Sequence, residues 1–456
     1  MSKPTFDVRI WGIRQRPGAR RVYIELRWRV GKTPFSAPFR TVTLADGRRA
    51  QLLTAVNNGE PFDEITGLPM SEVRKQDDVT WYVHARDYIE MKWPTAPAKT
   101  RTTLADALAT ATPVLVRNVR GMPDKALLRT SLYGWAFNVN RWTQDPPEDV
   151  AAALAWVEGR ALPMSALDDA LLMRKVLTAF GLRLDGKAAS PSTTRRKRAI
   201  MNNALGYAIE ARRLTTNPLT SVQWSSPDVL TEVEPACVVN PQQARALLAG
   251  VRAQGARGQH LEAFFGCLYH AAMRPAEAVW LRVDNCKLPK RGWGLLKLDG
   301  SRPRVGSAWT NDGTSHDDRG LKWRPAKATR PVPIPPELVA LLRWHIYRYG
   351  TATDGRLFRT ARNGLVQESG YGEVWAQARK TALSPRQAAS PLGKRPYDLR
   401  HAALSLWLNS GVDPTEVAKR AGNSVPVLLK VYAKCLDDGA ALANERISEA
   451  LTRWEG

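Results

Sequence analysis

Between Val22 and Val30 apolar and polar residues alternate, with Val22, Ile24, Leu26, Trp28 and Val30 on one side. That is the period of a half-buried strand. Val8 and Ile10 begin a shorter partner, and Pro17-Gly18 marks the turn between them. A small sheet is therefore expected within residues 1–58. Turn-forming residues crowd 59–80, which reads as a linker. Over 81–226 the period becomes helical, carried by Leu104, Ala107, Leu108, Leu128, Leu132, Leu154, Leu171, Leu172, Val176 and Leu177. The last helix of this stretch takes Ser192 as its candidate N-cap and keeps Ile200, Leu205 and Ile209 on or near one face. Asn217-Pro218 is its expected stop. Residues 227–240 read as a second linker. Residues 241–456 are mixed: a helical stretch to about 282, strand-like WGLLKL (293–298), a polar loop over 299–319, strand-like RPVPIP (330–335) and several further helices. The expected fold class is multidomain, with a small N-terminal β-sheet module, an all-α middle domain and a mixed α+β C-terminal domain.

Charge narrows the classes of function. The 456 residues carry a formal net charge of +24 and a pI near 10.2. A surplus of that size calls for a polyanionic partner, most simply nucleic acid. Residues 1–50 hold twelve Lys/Arg against three acids. A basic two-stranded ribbon fits the DNA major groove, although the same pattern also describes an ordinary small sheet with a solvated face. Arg195, Arg196, Lys197 and Arg198 fall in the first turns of their helix, where cations oppose the helix dipole. Helix stability does not explain them there; contact with phosphates does, and the alternative is a plain solvated face. Cys237, Cys267, Cys286 and Cys435 form no CxxC pair and read as reduced, packed thiols of a cytosolic protein. There is no phosphate-binding glycine loop or metal-ligand spacing, so no cofactor or metal is expected. No uninterrupted apolar run is long enough for a membrane span.

The chemistry lies in two stretches. In FFGCLYHAAMRPAEAVWLRV, Arg274 precedes a proline suited to the first position of a helix, and Glu277 follows three residues later. An arginine at a helix start can share a phosphate with free backbone N–H groups. In KRPYDLRHAALSLWLNSGVDPTEVAKRAGNSVPVLLKVYAK, Asp398 is a plausible cap and Arg400 and His401 occupy the first turn. Leu399, Ala403, Leu406 and Trp407 form the expected buried stripe, and Gly411 closes the helix. Asp413 to Glu416 is a capping-box start for the next helix, which Gly422 ends. Ser424 then opens a short helix that delivers Tyr432.

The order Arg274, a later hairpin lysine, Tyr-Asp-Leu-Arg-His, Gly-Asn-Ser and then Tyr432 resembles the signature of tyrosine recombinases, the phage-integrase family. The resemblance covers about 236–456 strongly, and the segment ending in Asn217-Pro218-Leu219 resembles the family's core-binding domain. It implies a division into a basic arm-type DNA-binding module (1–58), a linker (59–80), a helical, SAM-like core-binding domain (81–226), a second linker (227–240) and a catalytic domain (241–456). Tyr432 would be the nucleophile, with Arg274 and Arg400 on the scissile phosphate. Lys322 would be the general acid, with Lys327 as its rival and otherwise a DNA contact. Glu277 would orient an arginine or His401, and His401 would serve a supporting role. Two positions depart from the family pattern. Tyr397 stands where histidine is usual and can hydrogen-bond a phosphate oxygen, and Asn423 stands where histidine or tryptophan is usual and can donate to one. The resemblance further implies double-stranded DNA attachment sites as substrate, a homotetramer on DNA, host DNA-bending and directionality factors, and a bacterial cytoplasmic, nucleoid-associated setting. The helix suggested by Leu442, Ile447, Leu451 and Trp454 would dock on a neighbouring protomer or cap its own domain. A type IB topoisomerase and a binding-only relative are the competing readings.

Overall fold

A computed structural model describes every residue except 1–2, 18–21, 77, 228–231, 322–327, 436–439 and 453–456. The chain separates into two compact units, residues 1–96 with 103–227 and residues 97–102 with 228–456.

The first unit begins with a four-stranded antiparallel sheet. Val22–Val30 pairs with Val8–Ile10 and Arg14–Pro17 along one edge and with Thr33–Phe39 along the other. Its alternation produces the expected burial, with Leu26, Trp28 and Val30 interior and Arg27 and Arg29 on the opposite face. Trp28 lies opposite Phe35 and stacks on it, centroids 6.0 Å apart. Leu52 and Ala55 of the helix Val42–Asn57 close this core.

The expected linker over 59–80 is not an extended connection. Phe62–Asp63 pairs with Pro4–Thr5, and Phe62 is fully buried in the sheet's core. Met70–Gln76 is helical. Gly67 accepts a hydrogen bond from the Trp28 indole at 2.6 Å, at a φ of +72° where a Cβ would strike the Phe35 ring. Glycine is thus required by tertiary approach, whereas composition alone suggested a loose turn.

The helices of this unit include Trp81–Lys92, Glu148–Arg160, Ala170–Phe180 and Pro191–Glu210. Trp81, Tyr88, Phe137 and Phe180 are among its large buried side chains. Leu171, expected in the stripe, is 74% exposed, because Ala170–Phe180 turns Met173, Val176, Leu177 and Phe180 inward. Ser190, not Ser192, caps Pro191–Glu210 by accepting from the Thr193 N–H, with Pro191 in the first turn. The inward face of that helix is Thr194, Lys197, Met201, Ala204, Leu205 and Ala208, and Ile209 faces outward. The helix ends at Glu210, with Arg212 in the left-handed region, well before Asn217-Pro218.

The second unit packs helices about a three-stranded antiparallel sheet of Cys286–Lys287, Gly294–Leu298 and Arg330–Ile334, with Gly294–Leu298 in the centre. Two clusters fill it. The larger is built on Phe264, Phe265, Phe358 and Trp375. The smaller gathers Ala403, Leu404, Val417, Ala421, Leu428 and Tyr432. The 299–319 stretch, expected as a loop, is pinned by bridges between Ser301 and Arg319 and between Arg304 and His316. Part of the second expected linker is also packed: the Val233 N–H donates to the Val431 carbonyl at 2.7 Å, and Val233 joins the Tyr432 cluster.

Candidate active site

Arg274 stands just before the helix Pro275–Trp280. Its backbone N–H donates to Glu277 Oε2 and its Nη1 to Glu277 Oε1, each at 2.9 Å. Its Nη2 donates to the Gly422 carbonyl at 3.2 Å and to Asn423 Oδ1 at 3.1 Å. The backbone reaches this point through Ala272, buried and left-handed at φ 47°. Such a conformation costs an alanine about 1–2 kcal/mol. The Ala272 carbonyl is held in place by Arg400 Nη1.

Arg400, the third residue of Asp398–Asn409, is 1% exposed. Its Nη2 donates to the Ala421 carbonyl at 2.7 Å and to Asn423 Oδ1 at 3.4 Å. The two arginines are thus joined through one amide oxygen. Because both donors claim Oδ1, the Asn423 NH2 group is directed elsewhere. Burial first, and then the charge of Arg274, lowers the Arg400 guanidinium to about 10, so it is charged at neutral pH.

Asp398 does not cap its helix. Its carboxylate is fully buried and accepts from the Arg395 N–H at 2.8 Å and from the Arg395 guanidinium. Leu406 is exposed, and Leu399, Ala402, Ala403 and Leu404 form the buried face instead. Asp413 caps the next helix from one side only, accepting from the Thr415 N–H, while Glu416 turns to Arg420 at 2.8 Å.

Glu277 is the hub. A second fork reaches it from Arg330, with Nη1 at 3.0 Å from Oε1 and Nη2 at 2.7 Å from Oε2. Burial by itself would raise this carboxyl. Arg330 and then Arg274 overcome it and hold the group at about 2. Two guanidiniums, Arg274 and Arg330, therefore share a single carboxylate, and the charge of Arg400 acts on it as well. The excess positive charge suits an anion. For Arg274, burial favours the neutral form, but Glu277 outweighs it and the net shift is upward. The neighbouring Tyr397 side chain adds to that upward shift.

Tyr432 ends the helix Val425–Tyr432 and is 2% exposed. Its hydroxyl lies 2.8 Å from His401 Nδ1. Burial pushes the phenol upward, with Arg400 opposing. Burial also lowers His401 to about 4, Asp398 opposing, so the ring is neutral and Nδ1 can accept the phenolic proton. Tyr397 meets the same ring edge-on, centroids 5.0 Å apart.

The structure thus gathers Arg274, Glu277, Tyr397, Arg400, His401, Asn423 and Tyr432. Lys322 and Lys327 lie outside the described residues. Arg330 was not singled out from sequence, yet a signal existed. In RPVPI the inward positions are Arg330, Val332 and Ile334, so a period-2 reading puts an arginine among core residues, where it needs a buried anion.

The four cations of Pro191–Glu210 separate. Arg195 and Arg196 are exposed. Lys197 is not available to a phosphate: it is 7% exposed, with Nζ 2.9 Å from Thr110 Oγ1 and 3.2 Å from Asp106 Oδ2. It occupies a position on the inward stripe. Arg198 stacks over the Trp224 ring at 4.6 Å.

The sequence matches no protein-family model and no curated protein. Among solved structures it is similar to a Tn1549 transposon integrase fragment in complex with circular intermediate DNA, at 18% identity and a TM-score of 0.46, over 68% of this chain and 96% of that one. It is also similar to the XerH site-specific recombinase bound to its difH substrate, at 12% identity and 0.43, over 79% and 97%. A third is a lambda integrase fragment bound to DNA, at 9% identity and 0.37, over 62% and 87%. At these scores the likeness carries no information about chemistry.

Proposed function

We propose that this protein is a site-specific DNA recombinase, an integrase of a phage or other mobile element, that cleaves and rejoins duplex DNA through a 3′-phosphotyrosyl intermediate. The observation that carries the reading is the pair of guanidiniums, Arg274 and Arg330, on the Glu277 carboxylate, with Arg400 joined to Arg274 through Asn423, beside a tyrosine hydroxyl held by a neutral histidine. A phosphodiester brings one negative charge, and attack on phosphorus develops a second. Arg274 and Arg400, fixed in advance by Glu277, Asn423 and three backbone carbonyls, need no reorganisation to meet it. Donors preorganised in this way contribute about 2.7–4 kcal/mol each in the transition state.

Tyr432 Oη attacks phosphorus and its proton passes to His401 Nδ1. The bond to the 5′-oxygen breaks, and that oxygen takes up a proton. An incoming phosphate raises the proton affinity of His401, since a nearby anion favours the imidazolium. Lys322 is proposed as the donor to the leaving oxygen, with Lys327 as the alternative. The phosphotyrosyl bond conserves the energy of the diester, so a partner strand's 5′-hydroxyl reverses the step. Tyr397 and the Asn423 NH2 group are the further proposed phosphate contacts. Arg195 and Arg196 are the proposed DNA-backbone contacts of the helical region. Double-stranded attachment sites, a homotetramer on DNA, accessory bending and directionality factors and a bacterial cytoplasmic setting complete the reading.

The test is a nicked suicide substrate library of candidate core sites, with wild type, Tyr432→Phe and Tyr397→Phe compared on a denaturing gel. A covalent adduct lost only with Tyr432→Phe supports the proposal. Tight duplex binding with no adduct from wild type refutes it in favour of a DNA-binding protein. An adduct without strand exchange between two sites points to a topoisomerase.

A further inference from the structure

Arg330 touches both of the groups that fix Arg274. Its fork closes on the two oxygens of Glu277 at 3.0 and 2.7 Å. Its guanidinium also lies directly against Gly422, whose carbonyl accepts from Arg274 Nη2. Gly422 is left-handed at φ 66°, and a Cβ there would collide with Arg330 Nη1. The bare backbone of that turn is what lets the arginine in. Arg330 is 1% exposed and sits on the strand Arg330–Ile334, hydrogen-bonded along its length to Gly294–Leu298. It is therefore anchored in the sheet, whereas Arg274 is anchored in a turn that contains a left-handed alanine.

We infer that Arg330 is a positioning residue that acts through Glu277 and the Gly422 turn to hold the Arg274 guanidinium open toward the anion. The inference rests on the proposed phosphate chemistry. A carboxylate has two oxygens, and the Arg330 fork occupies both. With that fork in place, Arg274 reaches Glu277 by its backbone N–H and one terminal nitrogen, and its other terminal nitrogen is spread toward Gly422 and Asn423. Without it, Glu277 is free to rotate and take Arg274 as a full bidentate pair. The guanidinium is then drawn off its anion-facing position, and the cluster also loses one of its positive charges. Displacing a reactive group by about 1 Å costs roughly 10²-fold in rate. Lysine keeps the charge but has no fork, so it restores the function only in part.

The experiment compares wild type with Arg330→Lys, Arg330→Met, Glu277→Gln and the double variant Arg330→Met/Glu277→Gln. Adduct formation is measured on saturating suicide DNA, with duplex affinity measured separately. The double variant removes both buried charges, so it folds where Arg330→Met alone leaves Glu277 short of a partner. The expected result is duplex affinity within about 3-fold of wild type and adduct formation down by about 10²-fold for Arg330→Met, with Arg330→Lys intermediate. The double variant should lose no more than the worse single change, because the two residues act in series. Wild-type adduct rates in folded Arg330→Met or in the double variant would overturn the inference and leave Arg330 a purely structural ion pair. If wild type forms no adduct, the proposed reaction fails instead, and Arg330 is then judged on stabilisation against heat by inorganic phosphate. Loss of that stabilisation in Arg330→Lys and the double variant supports the positioning role, and its retention refutes it.

Discussion

Lys197→Met separates a cation that serves the fold from one that serves DNA. The Lys197 ammonium is taken from water and held by Thr110 Oγ1 at 2.9 Å and Asp106 Oδ2 at 3.2 Å. Breaking a fully buried ion pair costs about 3–5 kcal/mol when the remaining partner is left bare. Asp106 is not left bare. It is 32% exposed along its side chain and keeps the Arg129 guanidinium. What is lost is nearer to one charged hydrogen bond, about 1.5–3 kcal/mol. Methionine returns part of that by burying a similar volume of apolar chain, leaving a net loss of about 1–2 kcal/mol. Urea denaturation followed by circular dichroism reads this loss directly. Duplex affinity measured across a series of salt concentrations reads the other property, because each phosphate contact contributes about 0.9 to the slope of log K against log salt. Lys197→Met should lower the urea midpoint and leave that slope unchanged. Arg195→Gln and Arg196→Gln should do the reverse, each lowering the slope by about 0.9 with stability within about 0.5 kcal/mol of wild type. A Lys197→Met protein of unchanged stability and reduced slope would mean that this side chain reaches DNA, and would refute its assignment to the interior.

Two further outcomes follow from burial. Phe62 lies in a stretch whose composition suggests a linker, yet it is fully enclosed by the N-terminal sheet. Phe62→Ala should therefore cost about 3–5 kcal/mol in urea unfolding, where a linker position would cost nothing measurable. All six histidines (His84, His260, His270, His316, His345 and His401) are lowered below the usual imidazole range, with burial the largest cause in each. Unfolded histidines take up a proton near about 6.5, whereas folded His260 and His401 do so only near about 4. Between those values the unfolded chain binds more protons, so stability rises with pH. The urea midpoint should fall steadily from pH 7.5 to pH 5, a range in which Glu277, held at about 2, stays ionised in the folded state. A flat profile would show that the histidines are not enclosed as described.

Several features were legible in the amino-acid order because they depend on near neighbours. The strand Val22–Val30 announces itself through its period of two, and burial follows that alternation from Ile24 to Val30. The strands near 294 and 330 and the left-handed stop at Gly422 were also readable, each from a handful of adjacent residues. The order of Arg274, Arg400 and Tyr432 along the chain makes them candidates, and the fold brings them to one cluster. At Lys197 position outweighs charge. Its spacing from Thr194, Met201 and Ala204 already put it on the inward stripe.

What the order of residues could not supply is who meets whom. Glu277 finds Arg330 across 53 positions, His401 finds Tyr432 across 31, and Arg274 finds Asn423 across 149. Helix and strand periods are properties of the backbone and appear in any short window. The partner of a buried charge is chosen only when distant segments close around it, and that closure decides whether an arginine is a surface residue, a phosphate ligand or the support of one. By itself the sequence determined the local elements, the excess of positive charge and the inventory of reactive groups. Only the tertiary structure decided that Glu277 holds two guanidiniums and that a neutral histidine receives the tyrosine hydroxyl, because desolvation and ion pairing exist only once the chain has enclosed those groups.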